Sequence, residues 1–112
     1  MSFTTFESEQ FGIMSMTGMS SELQDAIPEV QIICRKIRPH AEIQAGKNYY
    51  VFIAVKYKTQ LVNGTNYFIK VHVGGDEYVH LRVYESLPHA GSKLELCGIQ
   101  MSKTRFDPVE FF

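Results

Sequence analysis

The second half of the chain alternates apolar and polar residues in four successive segments. Alternation of this kind places side chains on two opposite faces and is typical of β-strands. The apolar positions are Val51, Ile53 and Val55, then Ile69, Val71 and Val73, then Val79, Leu81 and Val83, and finally Leu94 and Leu96. The positions between them carry Lys56, Lys70, His72, His80 and Arg82. We therefore expect an antiparallel sheet with one apolar face and one face in water.

A stretch with helical periodicity precedes these segments. From Pro28 onward, apolar residues form one stripe at Val30, Ile33, Cys34, Ile37 and Ala41. Proline is tolerated in the first turn of a helix, whereas Pro39 should kink it, and we expect the helix to continue to the region of Gly46. One such helix can cover the apolar face of the sheet. The predicted fold class is α+β, with an antiparallel sheet wrapped around one long α-helix.

The composition fits one domain. The chain has 112 residues, of which 45% are hydrophobic, and this is enough for a single modest core. Residues 1–17 show no sustained periodicity, so we expect a flexible N-terminal extension followed by a domain of residues 18–112. The net charge is −1, with 11 basic and 12 acidic residues and without a basic stripe, which argues against nucleic acid as a partner.

The remaining features exclude several other classes of protein. The chain has no run apolar enough to span a membrane and no signal-peptide pattern, so we expect a cytoplasmic protein without a membrane partner. The two cysteines, Cys34 and Cys97, are predicted to be free thiols, with an oxidative or intermolecular role as the alternative. His72 and His80 could face each other across a hairpin, but a third metal ligand is missing. We expect no metal, no cofactor and no enzymatic activity.

The segment of residues 60–64 separates the first two predicted strands. Asn63 and Gly64 tolerate the positive φ angles that tight hairpin turns need. Leu61 and Val62 are apolar, although turn residues are usually polar. They either fold back onto the core or remain exposed as a surface for a partner, and the residues alone leave both alternatives open.

The spacing Gln60-x-Val62-x-Gly64, followed by Thr-Asn-Tyr-Phe-Ile-Lys-Val-His-Val in residues 65–73, resembles the cystatin superfamily of cysteine-protease inhibitors. Within that superfamily it is most similar to the stefins, the small intracellular type. Further matching segments are residues 28–31, 54–59, 78–83 and 87–89. The resemblance covers roughly residues 18–112 and implies the same fold as the periodicity.

The resemblance also implies a function and a binding site. In stefins, an N-terminal segment and two hairpin loops form a wedge that enters the active-site cleft of papain-like cysteine proteases such as cathepsins. The corresponding residues here are Gly18 and Met19, then Gln60, Leu61, Val62, Asn63 and Gly64, and then Leu87, Pro88 and His89. We therefore expect a monomeric, reversible, tight-binding competitive inhibitor.

The chain departs from the stefin pattern in two places. Stefins usually have only a few residues before their glycine, whereas 17 residues precede Gly18 here, and Asn63 replaces the commonest alanine. The long N-terminal segment motivates an alternative, a non-inhibitory binding module or a dimer that swaps strands by opening the 60–64 loop. The aromatic end, Phe111 and Phe112, is expected to pack against the sheet.

Overall fold

The computed structural model describes residues 19–112, so Gly18 and the predicted extension of residues 1–17 lie outside the described residues. The elements follow in the order β1 (Met19–Ser20), β2 (Gln24–Asp25), α1 (Pro28–Ala45), β3 (Ile53–Val62), β4 (Gly64–Gly74), β5 (Glu77–Glu85) and β6 (Leu94–Lys103). A short 3-10 helix, Pro88–Ala90, lies between β5 and β6. The predicted α+β class is confirmed.

All strands belong to one antiparallel sheet. The order across the sheet is β1, β3, β4, β5, β6, and β2 also pairs with β3. The two short strands therefore lie along the outer edge of β3, while β6 forms the opposite edge. Since β3, β4 and β5 are sequential antiparallel neighbours, tight turns are sufficient to connect them. Within the described residues, no helix is long and apolar enough to cross a membrane.

The helix matches its predicted pattern. Each residue of the predicted stripe is buried, namely Val30, Ile33, Cys34, Ile37 and Ala41. The helix continues through Pro39 and ends at Gly46, which has a left-handed φ of 74°. The N–H of Gly46 donates to the carbonyl oxygens of Glu42 and Ile43, so two carbonyl groups of the last helical turn have a hydrogen-bond partner. The predicted end of the helix is confirmed.

The inner faces of β4 and β5 also match their predicted patterns. The side chains that pack against the helix are Ile69, Val71, Val73, Val79, Leu81 and Val83, and all of them are buried. Leu94 and Leu96 of β6 are partly buried against the same core. The alternation of apolar residues was therefore sufficient to assign these three strands.

The predicted inner face of β3 was wrong. Ile53, which was expected inside, is 52% exposed, whereas Ala54 and Tyr57 are buried. The ladder pairs Ala54 with Val71 and Lys56 with Lys70, so Val55 is an extra residue at a β-bulge. An extra residue interrupts the alternation of faces, and the inward positions therefore change partway along the strand.

The prediction that the outer face is fully in water was also wrong. Lys70 is only 5% exposed and His80 is completely buried. The segment after β6 lies across this face, and the Lys70 ammonium donates to the carbonyl oxygens of Arg105 at 2.7 Å and Asp107 at 2.6 Å. The C-terminal segment covers the Lys70 ammonium group, and these hydrogen bonds replace those that the group would make to water.

The aromatic end completes this cover. The ring centroid of Phe68 lies 4.9 Å from that of Phe111 and 5.8 Å from that of Phe112, both in edge-to-face geometry. Phe68 is 1% exposed and Val109 is 2% exposed. The expected packing of the C-terminus against the sheet is confirmed, and it creates a second, smaller apolar layer opposite the helix.

Candidate functional site

The hairpin between β3 and β4 is tighter than predicted. The ladder continues to its end through the pairs Gln60 with Asn66, Leu61 with Thr65, and Val62 with Gly64. Asn63 is therefore the single residue at the turn, and most of the predicted five-residue loop consists of paired strand ends. The pairing makes this end of the hairpin rigid, because its backbone groups already have partners.

The exposed tip carries apolar side chains. Leu61 is 48% exposed and Val62 is half-buried, so the alternative in which Leu61 folds back onto the core does not occur. Gly64 is buried and has a φ of +115°. A β-carbon at this position would lie 2.6 Å from the carbonyl oxygen of Glu85. Glycine is required here by backbone conformation and by space.

Tyr84 of β5 also contacts the turn. Its hydroxyl donates to the carbonyl oxygen of Asn63. The hydroxyl oxygen also lies 2.6 Å from the position that a β-carbon of Gly64 would take. Sequence reasoning missed Tyr84, because alternation gives the face of a side chain but not its contact with a turn on another hairpin.

The described N-terminal residues lie beside this turn. Met19 pairs with Leu61 and Ser20 pairs with Gln60. The Ser21 N–H donates to the Thr59 carbonyl oxygen at 2.8 Å, and the Thr59 N–H donates to Ser21 Oγ at 2.7 Å. These bonds fix the backbone that follows Gly18 along the edge of β3. Gly18 itself is outside the described residues.

The second predicted loop begins at the same end of the sheet. Thr65, next to the turn, pairs with Glu85 at the end of β5. The loop that follows is closed by two bonds, from the Ser86 N–H to the Lys93 carbonyl oxygen at 2.9 Å and from the Lys93 N–H to Ser86 Oγ at 2.7 Å. At its start, Leu87 is half-buried, whereas Pro88 and His89 are exposed.

The three pieces of chain therefore lie side by side. We call this end of the sheet the tip edge, comprising Met19, residues 60–64 and residues 87–89. Neighbouring strands are about 4.8 Å apart, so three strand spacings give the tip edge a width of roughly 14 Å. A narrow ridge with Leu61 near its middle is suited to an elongated cleft rather than to a flat surface.

His72 and His80 were considered as a pair of metal ligands. His72 pairs with Tyr78 and His80 pairs with Lys70, so the two histidines do not lie directly opposite each other. In residues 19–112 there is no group of three or more His, Cys, Asp or Glu side chains that could hold a metal ion.

The two cysteines are free thiols, as predicted. Cys34 is buried, and burial raises the pKa of its thiol to about 12. Since the thiolate is the reactive form, Cys34 is inert at neutral pH. Cys97 is exposed on β6.

Comparison with known proteins identifies the family. A sequence model described as the Cystatin domain matches residues 18–105. The chain belongs to the cystatin family. Cystatin-B of Oplegnathus fasciatus is 54% identical over 99 residues, which are 88% of this chain and 98% of that protein. Cystatin-B of Paralichthys olivaceus is 55% identical over 97 residues, covering 87% of this chain and 99% of that protein.

A relative with a different name supports the same assignment. Leukocyte cysteine proteinase inhibitor 1 of Sus scrofa is 46% identical over 97 residues, covering 87% of this chain and 94% of that protein. The matches to cystatins B and A place the chain among the cystatins of the stefin type. The resemblance found in the sequence is confirmed.

Proposed function

We propose that this stefin-type cystatin is a reversible, tight-binding, competitive inhibitor of papain-like cysteine proteases of the cathepsin type. The observation that carries the proposal is the tip edge, where pairing places Met19 beside Leu61 and Thr65 beside Glu85. Leu61 is 48% exposed near the middle of this edge. The name of the pig relative, a cysteine proteinase inhibitor, supports the same function.

The geometry of the tip edge favours tight binding. Leu61, Val62 and Leu87 would lose apolar surface to the cleft, and burial of apolar surface is favourable. The tip is held by its ladder before binding, so little conformational entropy is lost on association. Pre-formed interfaces of about 1,600 Å² between proteases and inhibitors reach nanomolar affinity or tighter.

The same geometry favours inhibition over cleavage. The ladder extends to the Val62–Gly64 pair, so the chain reverses at Asn63. A reversed and paired chain fills a cleft without offering an extended peptide bond to the catalytic thiolate. The binding is therefore expected to be competitive with substrate and fully reversible.

The N-terminal piece extends the proposal to residues outside the described part. We place Gly18 against the protease backbone, because glycine allows two backbones to approach closely. Residues before Gly18 would then follow the substrate-binding groove on one side of the catalytic thiolate. In this proposal the inhibitor domain comprises residues 18–112, and residues 1–17 are an extension that adds contacts or obstructs the cleft.

The proposal includes a cytoplasmic monomer without enzymatic activity. Cys34 and Cys97 are free thiols, which agrees with a reducing compartment. Cys34 is unsuited to nucleophilic catalysis, since burial raises its pKa to about 12. A strand-swapped dimer is the competing form, and it would bury the tip within the exchanged hairpin.

A matched pair of substitutions on β3 tests the proposal. Leu61 is 48% exposed at the tip edge, and Ile53 is 52% exposed at the other end of the same strand, roughly 26 Å away. Leu61→Ala is expected to weaken inhibition of papain and a cathepsin by at least about 2 kcal/mol, close to 30-fold, as a hot-spot residue does. Ile53→Ala should leave the inhibition constant unchanged. Equal inhibition constants for the two variants would remove the tip edge from the mechanism.

The same titration can separate the extension from the domain. A chain beginning at Met16 should inhibit as tightly as the full chain if residues 1–15 make no contact, and more tightly if they obstruct the cleft. Size-exclusion chromatography of each sample identifies the active form. An active monomer with an inactive dimer would indicate strand swapping, whereas an inactive monomer would contradict inhibition altogether.

A further inference from the structure

Tyr84 links the turn of the first hairpin to a third strand. It pairs with Asn66 of β4, and its side chain reaches from there to the turn. The hydroxyl donates to the carbonyl oxygen of Asn63, the residue between the paired Val62 and Gly64. The turn is therefore held from outside its own hairpin.

The ring of Tyr84 also packs against the turn. A β-carbon on Gly64 would lie 2.6 Å from the Tyr84 hydroxyl oxygen and 2.7 Å from the ring atom Cε1. The absence of a side chain at Gly64 allows the backbone of the turn to rest on the ring. The ladder fixes the paired residues on either side, so the contact from Tyr84 acts on Asn63, which the ladder leaves unpaired.

Tyr84 occupies a position between the two loops of the tip edge. It is followed by Glu85, the last residue of β5, and then by the loop that contains Leu87. A single side chain thus connects the turn at Asn63 to the strand from which the second loop departs.

We propose that Tyr84 is a positioning residue for protease inhibition, fixing the Asn63 turn at the height and orientation that the cleft requires. This inference rests on the proposed inhibitory function. It assigns to Tyr84 no contact with the protease, because its effect is exerted through the turn. Loss of the hydroxyl should leave the fold intact and allow the turn to sample other conformations.

The variant Tyr84→Phe removes only the hydroxyl and keeps the ring. Loss of this hydrogen bond lets the free turn leave the binding-competent conformation, and a competent population of about a third to a tenth raises the inhibition constant for papain about three- to tenfold. We expect cooperative thermal unfolding, with a midpoint lowered by no more than the few degrees that one exposed hydrogen bond is worth. Tyr78→Phe is the matched control, because Tyr78 lies at the other end of β5 and pairs with His72 and Lys103.

A second measurement follows the turn itself. Hydrogen exchange and ¹⁵N relaxation of the Asn63 and Gly64 amides in the free protein should show greater mobility in Tyr84→Phe than in Tyr78→Phe. The inference would be overturned if Tyr84→Phe inhibited papain as tightly as the wild-type chain and the amide mobility of Asn63 and Gly64 were equal in the two variants. If the wild-type chain failed to inhibit, the proposed function would be wrong, and so would the role of Tyr84 in inhibition. The amide mobility would still show whether Tyr84 holds the turn.

Discussion

The buried histidine of β5 should make the stability of this protein depend on pH. His80 has no exposed surface, and neither of its ring nitrogens has a hydrogen-bond partner among the described residues. Burial, followed by the positive charges of Lys70 and Lys103, lowers the pKa of His80 from 6.5 to about 4. Asp107, on the C-terminal segment, and the side chain of Gln100, on β6, oppose this shift.

The sign and size of the effect follow from proton linkage. Below pH 6.5 the unfolded chain protonates its histidine, whereas the folded chain keeps His80 neutral until about pH 4. The unfolded state therefore binds more protons in this window, and the free energy of unfolding falls as the pH falls. The difference between pKa values of 6.5 and about 4 is worth at most roughly 3 kcal/mol. Above pH 6.5 His80 is neutral in both the folded and the unfolded state, so it causes no loss of stability. Below about pH 4 it is protonated in both states, and the loss does not increase further.

The variant His80→Leu removes the pH-dependent stability that is due to His80, because leucine fills a buried site of similar size without titrating. Urea unfolding followed by circular dichroism at pH 7.5, 6.5, 5.5, 4.5 and 4.0 gives the free energy of unfolding for both proteins. Between pH 7.5 and 4, the wild type should lose about 3 kcal/mol more than the variant. NMR titration of the His80 ring provides a direct control. Parallel pH profiles, or a His80 ring that titrates near pH 6.5 in the folded protein, would refute the reasoning.

Two further predictions concern glycines and thiols. Gly64→Ala should lower the free energy of unfolding in urea by about 1–3 kcal/mol more than Gly74→Ala does. Both glycines have φ near +115°, but of the two only Gly64 has neighbouring atoms with which a β-carbon would clash. Equal losses of stability in the two variants would contradict this. In the native protein one thiol, the exposed Cys97, should react with a disulfide reagent, whereas unfolding should release the buried Cys34 as a second. A Cys97→Ser variant that still reacted at once would refute the assignment.

The parts of the fold that were predicted correctly depend on local patterns. The helix stripe around Cys34 is set by spacings of three and four residues, and Gly46 is an ordinary helix terminator. The inner faces of β4 and β5 follow from strict alternation through Ile69 and Leu81. In each case the physical signal lies within about ten residues of chain, so the sequence contains it directly.

The errors in the fold arose from features without a local pattern. The bulge at Val55 inserts one residue into β3, and nothing in the alternation marks where such an insertion occurs. The burial of Lys70 depends on a segment more than thirty residues further along the chain. A lysine in an alternating strand is usually exposed, and the carbonyl oxygens of Arg105 and Asp107 make its burial acceptable here.

The candidate site shows the same division. Residues 60–64 were found from a compact motif, but the tightness of the turn and the contact from Tyr84 depend on pairing between strands. Placement of Met19 and Leu87 on the same edge followed from the family resemblance. The observed sheet order gives an independent physical reason for that placement, since β1, β3, β4 and β5 are successive neighbours.

The structure also changes how the glycine of the motif should be interpreted. A substitution such as Gly64→Arg would combine positive φ strain with a clash against Glu85 and Tyr84, so it would damage the turn before any protease bound. Lost inhibition in that variant would not distinguish a contact with the protease from misfolding of the hairpin. Leu61 does distinguish them, because its side chain is exposed and its removal leaves the turn backbone as it is. The motif therefore contains residues of two kinds, with Gly64 required by the fold and Leu61 available to a partner.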